Sequence, residues 1–360
     1  MIQHFFHFVT SQNLYRAVWL FGILTFFFVS ASFFSLYYKK RKWLIQKKVE
    51  KRFELLISKA MLDDWEFEED FAIPENFKRH INSDIKKQYA IDLLVNARKS
   101  LSGKAGENII KLYMKLGLRN ESLKKFKSGT WYVKTKGIYE LFMMEQHNLL
   151  TQIYKYTNSK NDYIRMEAQA AIIHLSGFHG LRFLNVVSTP ISEWQQIKLL
   201  ELLRHHQQKN MPQLEKWLGS KNDFVVLFAL KLAEVYQQYH VYDRVVDCMS
   251  HANEKIRIQA VKTLTKIAMD STAELLADVY KKEAVTNKLN ILNQLAELAT
   301  EKETEFLEME LENENQFIKL AAARVIGERL TEGLNLLRSK ADRSPQVFEA
   351  IYQQVKYEIS

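Results

Sequence analysis

From Ala17 to Tyr38 the chain runs through 22 residues without a charge, "AVWLFGILTFFFVSASFFSLYY". As a helix this is roughly 33 Å long at ~1.5 Å per residue, against a hydrocarbon core of about 30 Å. Trp19 stands near one end, and Tyr37 and Tyr38 close the other, where amphipathic rings favour the headgroup boundary. The pattern predicts a single transmembrane helix over 17–38. A cleaved signal peptide is the competing reading, with Val29-Ser30-Ala31 as its small-residue site. The apolar run continues past that site, however, and the bases follow the run instead of preceding it. Ala31 and Ser35 form a small-xxx-small pair of the kind that supports helix pairing, although such a pair is also ordinary composition.

Further along, the period changes. With Ile164 as position zero, the same frame recurs at Val133, Ile164, Trp194, Val225, Ile256, Asn287 and Ile318, at intervals of 30 or 31 residues. Four residues on stand Gly137, Ala168, Lys198, Ala229, Ala260, Ile291 and Ala322, small or apolar in all but one. Eight residues on, every position is apolar, from Leu141 to Ile326. Positions 0, 4 and 8 share one helical face, and a small residue in the middle lets a neighbouring helix approach closely.

Each period holds a second helix. Eleven residues before the zeros stand Ile153, Phe183, Leu214, Val245, Leu276 and Leu307, all apolar. Asn161, Asn222, Asn253 and Asn315 fall three before a zero, where a side-chain oxygen caps a helix start. A unit of about 31 residues is therefore helix–turn–helix, and it buries its apolar face only by stacking on its neighbours. The expected fold class is all-α: one N-terminal transmembrane helix followed by an α-solenoid of about seven helical hairpins. The expected divisions are a short external tail over 1–16, the span over 17–38, a basic juxtamembrane helix over 39–61, a helical N-terminal cap over 62–130 and the repeats over 131–360. Within the cap, helices are expected near 77–100, 104–116 and 120–127. Ser344-Pro345 is a helix-start pair that opens a closing helix.

The stretch "NDYIRMEAQAAI" resembles the start of the second helix in HEAT repeats: an acid near the turn, then V/I-R, then alanine. "NDFVVLFALKLA", "NEKIRIQAVKTL" and "NQFIKLAAARVI" resemble the same motif. The resemblance implies ladders between successive repeats. Arg165, Arg257, Lys288 and Lys319 take the arginine position, and Asp162, Asp223 and Glu254 the acidic one. It implies pairing of Asp223 with Arg257 and of Glu254 with Lys288. Gln195 and Val226 depart from the pattern and break the ladder in its middle. Over its full length the chain is similar to membrane-anchored bacterial HEAT-repeat proteins, a likeness that implies a scaffold and no established reaction.

Charge alters the picture through its location. Residues 1–52 hold nine of the 51 bases and one of the 42 acids, so the remaining 308 residues carry 42 bases and 41 acids. A body that near to neutral argues against nucleic-acid binding, which needs its own positive field. The bases cluster behind the apolar run, which by the positive-inside rule puts the N-terminus outside and the repeats in the cytoplasm. Lys39, Lys40, Arg41, Lys42, Lys47 and Lys48 are the expected contacts to an anionic membrane surface. Six acids follow in "DDWEFEED" (63–70), either pairing with that basic block or forming a solvated loop.

Candidate chemistry is sparse. Cys248 is the single cysteine, so no intramolecular disulfide and no cysteine-based zinc site can form. His205 and His206 are adjacent and diverge on a helix, and His174 and His179 have no acid at ligand spacing. "SGKAG" (102–106) lacks the glycine and the Ser/Thr of a phosphate loop. No catalytic residue, metal or cofactor is expected, and no small-molecule substrate. The candidate partner-binding residues are Lys231, Lys262 and Arg324, a basic stripe at position 6, opposite the packing face. The expected function is a non-enzymatic adaptor on a cell membrane, holding an unidentified protein, with a membrane-bound enzyme complex one client that fits. The alternatives are a nucleic-acid-binding solenoid and a HEAT-like lyase.

Overall fold

The first helix, α1 (Ser11–Met61), is unbroken for 51 residues, about 77 Å at ~1.5 Å per residue. The computed structural model describes residues 11–61, 79, 81–204, 206 and 210–359. Residues 1–10 of the expected tail, the start of the expected cap and His205 lie outside them. α1 is the one described helix long and apolar enough to cross a membrane by length and composition. From Leu14 to Tyr38 its large apolar side chains are exposed, Phe26 at 74%. Its last turns behave differently. Val49, Phe53 and Leu56, spaced four and three apart, share one face and are buried.

That face packs on an N-terminal unit that extends to Leu149. It holds α2 (Asp84–Ser100), α3 (Gly103–Lys115), α4 (Leu118–Phe126) and α5 (Trp131–Met143). Phe53 and Leu56 share a core with Ile91, Leu94, Ile109 and Leu112. One continuous helix thus joins an exposed apolar segment to a folded core. The unit boundary at Leu149 places α5, expected to open the repeat array at 131, in this N-terminal unit.

The second unit, Leu150–Ser360, is a succession of hairpins. Its longer second helices are α7 (Asp162–Ser176), α8 (Glu193–Leu203), α10 (Asp223–Val235), α12 (Glu254–Lys266), α14 (Val285–Leu298) and α16 (Gln316–Arg329). The first helices are α6 (Leu150–Tyr154), a 3-10 stretch over Gly177–Asn185, α9 (Leu214–Leu218), α11 (Tyr242–Cys248), α13 (Thr272–Tyr280) and α15 (Thr304–Leu311). A closing hairpin, α17 (Gly333–Arg343) and α18 (Pro345–Ile359), ends the chain. No strand occurs among the described residues, so the fold is an all-α solenoid. The six apolar residues eleven before the zeros are all fully buried, as the period requires. The four asparagines all cap: Asn161 accepts from Ile164 N, Asn222 from Phe224 N, Asn253 from Lys255 N and Asn315 from Phe317 N.

One repeat is out of the expected register. Trp194 is 71% exposed, whereas Gln195 is 3% exposed and Leu199 and Leu203 are buried. The reason is the cap. Ser192 Oγ accepts from Gln195 N at 3.3 Å, so Gln195 takes the position that Ile164 takes after Asn161. The true frame is Gln195, Leu199 and Leu203, in place of Trp194, Lys198 and Leu202.

Candidate functional site

The expected ladder is largely replaced by contacts within each turn. Arg165, buried on α7, donates to Asp162 Oδ1 at 2.8 Å and to Ser159 O at 2.8 Å. Arg257, at the same place on α12, donates to His251 O at 3.0 Å. Each arginine reaches back over its own turn to a carbonyl six residues earlier and satisfies a backbone acceptor that the turn leaves open. Asp223 does not meet Arg257. It accepts from Asn253 Nδ2 at 2.7 Å, and His251 Nε2 lies 3.9 Å from its other oxygen. Arg257 spends its remaining donors on Glu283, at 2.8 and 3.1 Å.

Among the described residues no ion pair joins Glu254 to Lys288. Lys288 lies over the Tyr280 ring at 4.9 Å, and Lys319 over Phe348 at 5.4 Å. The inter-repeat link expected from Glu254 is not formed among the described residues, and Lys288 meets the Tyr280 ring instead. Glu283 was not singled out in the sequence. The second helix of the next repeat begins at Val285 without an acid, and the nearest one stands two residues earlier, which is the signal that could have found it.

The basic stripe is mostly neutralised. Lys231 pairs with Glu234 at 3.0 Å, and Gln259 Nε2 donates to the same carboxylate at 2.6 Å. Arg324 makes a two-pronged pair with Glu358 of α18, both contacts 2.7 Å. Only Lys262 of the three stands exposed with no ion pair among the described residues. The expected open stripe is therefore corrected to one free cation between two internal pairs. The Lys231–Glu234 pair is an i,i+3 contact that helix spacing offers, whereas the sequence could not show the other pair, because Glu358 lies 34 residues from Arg324.

The bases that follow the apolar run, Lys39, Lys40, Arg41, Lys42, Lys47 and Lys48, are all exposed on α1. Lys47 sits 4.7 Å over the Trp43 ring, a contact that holds its stem along the helix.

Buried ionisable groups are few and mostly paired. Glu140 on α5 is buried and accepts from Ser122 Oγ at 2.6 Å, Lys125 Nζ at 2.6 Å and Gln88 Nε2 at 2.8 Å. Burial holds the Lys125 ammonium below its ordinary range, although Glu140 opposes the shift. Burial likewise raises the Glu167 carboxyl, with Lys198 at 3.6 Å pulling it back. Cys248 is buried on α11, and burial pushes its thiol up to about 11, so it is a poor thiolate nucleophile at neutral pH. Among the described residues no group of three His, Cys, Asp or Glu side chains is placed to hold a metal ion.

No protein-family model matches the chain, and no curated protein matches it. Solved structures are distantly similar. An engineered protein is 14% identical over 78% of this chain and 87% of its own, with a TM-score of 0.37. The complex of CpcE and CpcF of phycocyanin lyase from a Nostoc species is 10% identical over 83% and 99%, at 0.26. Human deoxyhypusine hydroxylase is 14% identical over 76% and 96%, at 0.22. At these scores the solenoid assignment rests on the chain's own geometry.

Proposed function

We propose that this chain is a membrane-anchored, non-enzymatic scaffold of the HEAT-like class, and that its repeats hold a protein partner at the cytoplasmic face. One observation carries the reading. α1 runs without a break from an exposed apolar segment into the buried contacts of Val49, Phe53 and Leu56. Such a helix ties a folded helical unit to a bilayer without a flexible linker. The basic flank from Lys39 to Arg52 supports a cytoplasmic position for everything after it. Extended stacks of helical hairpins offer long surfaces suited to protein binding.

The test uses the full chain in native membranes. A C-terminal reporter should be active only on the cytoplasmic side; activity confined to the other side overturns the orientation. Cross-linking followed by quantitative mass spectrometry should capture one stoichiometric membrane protein. That capture should weaken when Lys262 is changed to Glu. A chain that isolates alone after cross-linking, or that turns over a substrate once purified, overturns the scaffold reading.

A further inference from the structure

Three exposed aromatic residues hold the same place in three successive repeats. Tyr163, Trp194 and Phe224 are each the second residue of a second helix, on α7, α8 and α10, and each follows an acid. With α8 in its true register, all three fall one residue before the frame position. They are 61%, 71% and 38% exposed. Stacking does not require an aromatic there, since Lys255 holds that place on α12.

Hydrogen bonds staple the turns that carry these residues into one edge. Ser188 N donates to Asn158 Oδ1 at 3.0 Å, Asn222 Nδ2 to Val187 O at 3.0 Å, and Asn253 Nδ2 to Asp223 Oδ2 at 2.7 Å. A groove of about 720 Å³ crosses three of these turns, lined by Val187, Asn222, Phe224, Leu227, Asn253 and Lys255 among others.

Spacing and charge decide the occupant. Packed helices lie about 8–10 Å apart, so successive rings along the edge recur at about that interval. A polyproline II helix repeats every three residues, about 9.3 Å. A strand repeats a face every ~6.6 Å and an α-helix every ~10.5 Å over seven residues, both out of step with the rings. Aromatic grooves suit proline rings, and polyproline II leaves its carbonyls open to a donor such as the Trp194 indole N–H. The turns carry Asp162, Glu193, Asp223 and Glu254 against Lys160, Lys221 and Lys255. They therefore offer no positive field to anionic lipid or to a phosphate backbone. Nor can this chain, or a second copy of it, supply a proline-rich segment. Its four prolines, Pro74, Pro190, Pro212 and Pro345, are isolated from one another.

We propose that this edge binds a proline-rich segment of the partner protein in the polyproline II conformation. The proposal rests on the scaffold reading above and names the chemistry of the partner.

The experiment measures fluorescence anisotropy of a labelled peptide of repeated Pro-Pro-Leu against the full chain in nanodiscs of zwitterionic lipid. Saturable binding is expected. Trp194→Gln should weaken it about tenfold or more, and so should Tyr163→Ala combined with Phe224→Ala. Phe317→Ala removes an equally exposed aromatic from the same place on α16, beyond the row, and should leave binding within about twofold. The same peptide with alanine for proline should bind weakly. Circular dichroism checks that each variant keeps its helices. No saturable binding, or equal binding of the alanine peptide, overturns the proposal. Equal weakening by Phe317→Ala would mean general adhesion to exposed rings and overturn the site. Displacement of the peptide by phosphatidylserine vesicles or by a single-stranded oligonucleotide would assign the row to lipid or nucleic acid and overturn the partner. None of these failures touches the scaffold reading, which is decided by cross-linking at the repeats.

Discussion

Arg257 on α12 grips Glu283 through two contacts, 2.8 and 3.1 Å long, joining the second helix of one repeat to the turn inside the next. Glu283 is almost fully buried and Arg257 mostly so. The hydrogen bond to Glu283 raises the Arg257 guanidinium further above its ordinary range. Burial alone would push the Glu283 carboxyl up, but the hydrogen bonds and charge of Arg257, with hydrogen bonds from Asn287 and the Ala284 backbone, outweigh it and hold the group below its ordinary value.

Replacing Glu283 by Gln should destabilise the repeat unit by about 1.5–3 kcal/mol at neutral pH, the range for a hydrogen bond to a charged group. The sign of the pH effect follows from the lowered carboxyl. Its contribution is complete above the unfolded value and is lost as pH falls through the lower folded value. The gap in urea midpoint between wild type and E283Q should therefore be widest near neutrality and close below about pH 4. A gap constant across that range would mean that the ion pair contributes nothing.

The 31-residue period, the capping asparagines and the buried first-helix positions were all legible in the sequence. Each is a local or periodic consequence of burying one helical face. The partners of most charged residues were not legible. An acid at the first position of a helix is favourable there whatever it pairs with, so Asp162, Asp223 and Glu254 fit the motif without a ladder. Arg165 turns back to a carbonyl and an acid of its own turn, and Arg257 divides its donors between its own turn and Glu283 of the next repeat, an acid outside the motif position. The stripe failed for a related reason. Position 6 says which way Arg324 points, but not that Glu358 lies beside it, whereas Glu234, three residues after Lys231 on one helix, was a legible partner.

The register of α8 gives a sharp test of how far a pattern can mislead. Trp194 is the largest apolar residue near that helix start, yet it faces water. Trp194→Gln should shift stability by less than about 0.5 kcal/mol, as exposed substitutions do. Leu199→Ala, at a fully enclosed site, should cost about 2–5 kcal/mol. Chemical denaturation of the two variants side by side decides the matter; the reverse order would restore Trp194 to the core.

Asn253 does two jobs where Asn315 does one. Both cap a helix, but Asn253 also donates from Nδ2 to Asp223 in the preceding repeat at 2.7 Å. Asn315→Ala should cost about 1 kcal/mol for the cap alone. Asn253→Ala should cost roughly twice that, because the link to Asp223 goes with the cap. Asn253→Asp separates the two jobs, since the oxygen still caps but now faces a carboxylate. It should keep the helix start protected in hydrogen exchange while loosening the preceding turn. Equal costs for Asn253→Ala and Asn315→Ala would show that the link carries no stability.

Gly137 lets α5 lie directly against the backbone of α4 in the N-terminal unit. A Cβ built there would lie 2.4 Å from Phe126 N and 2.8 Å from the Lys125 carbonyl carbon, both backbone atoms at the end of α4. Backbone cannot swing aside as a side chain can, so α4 and α5 would have to separate. That separation would also pull Lys125 and Ser122 away from the buried Glu140, stripping a desolvated carboxylate of its partners. Gly137→Ala should therefore cost at least the ~1–3 kcal/mol of overpacking, and more if the Glu140 network opens. Gly129 supplies the control, because a Cβ there meets nothing within 4 Å. Gly129→Ala should be neutral or slightly stabilising through the unfolded chain. Thermal unfolding of the full chain in detergent, followed by limited proteolysis to locate the loosened segment, should place the damage of Gly137→Ala between α4 and α5. A Gly137→Ala protein as stable as wild type would mean that the two helices do not need this contact.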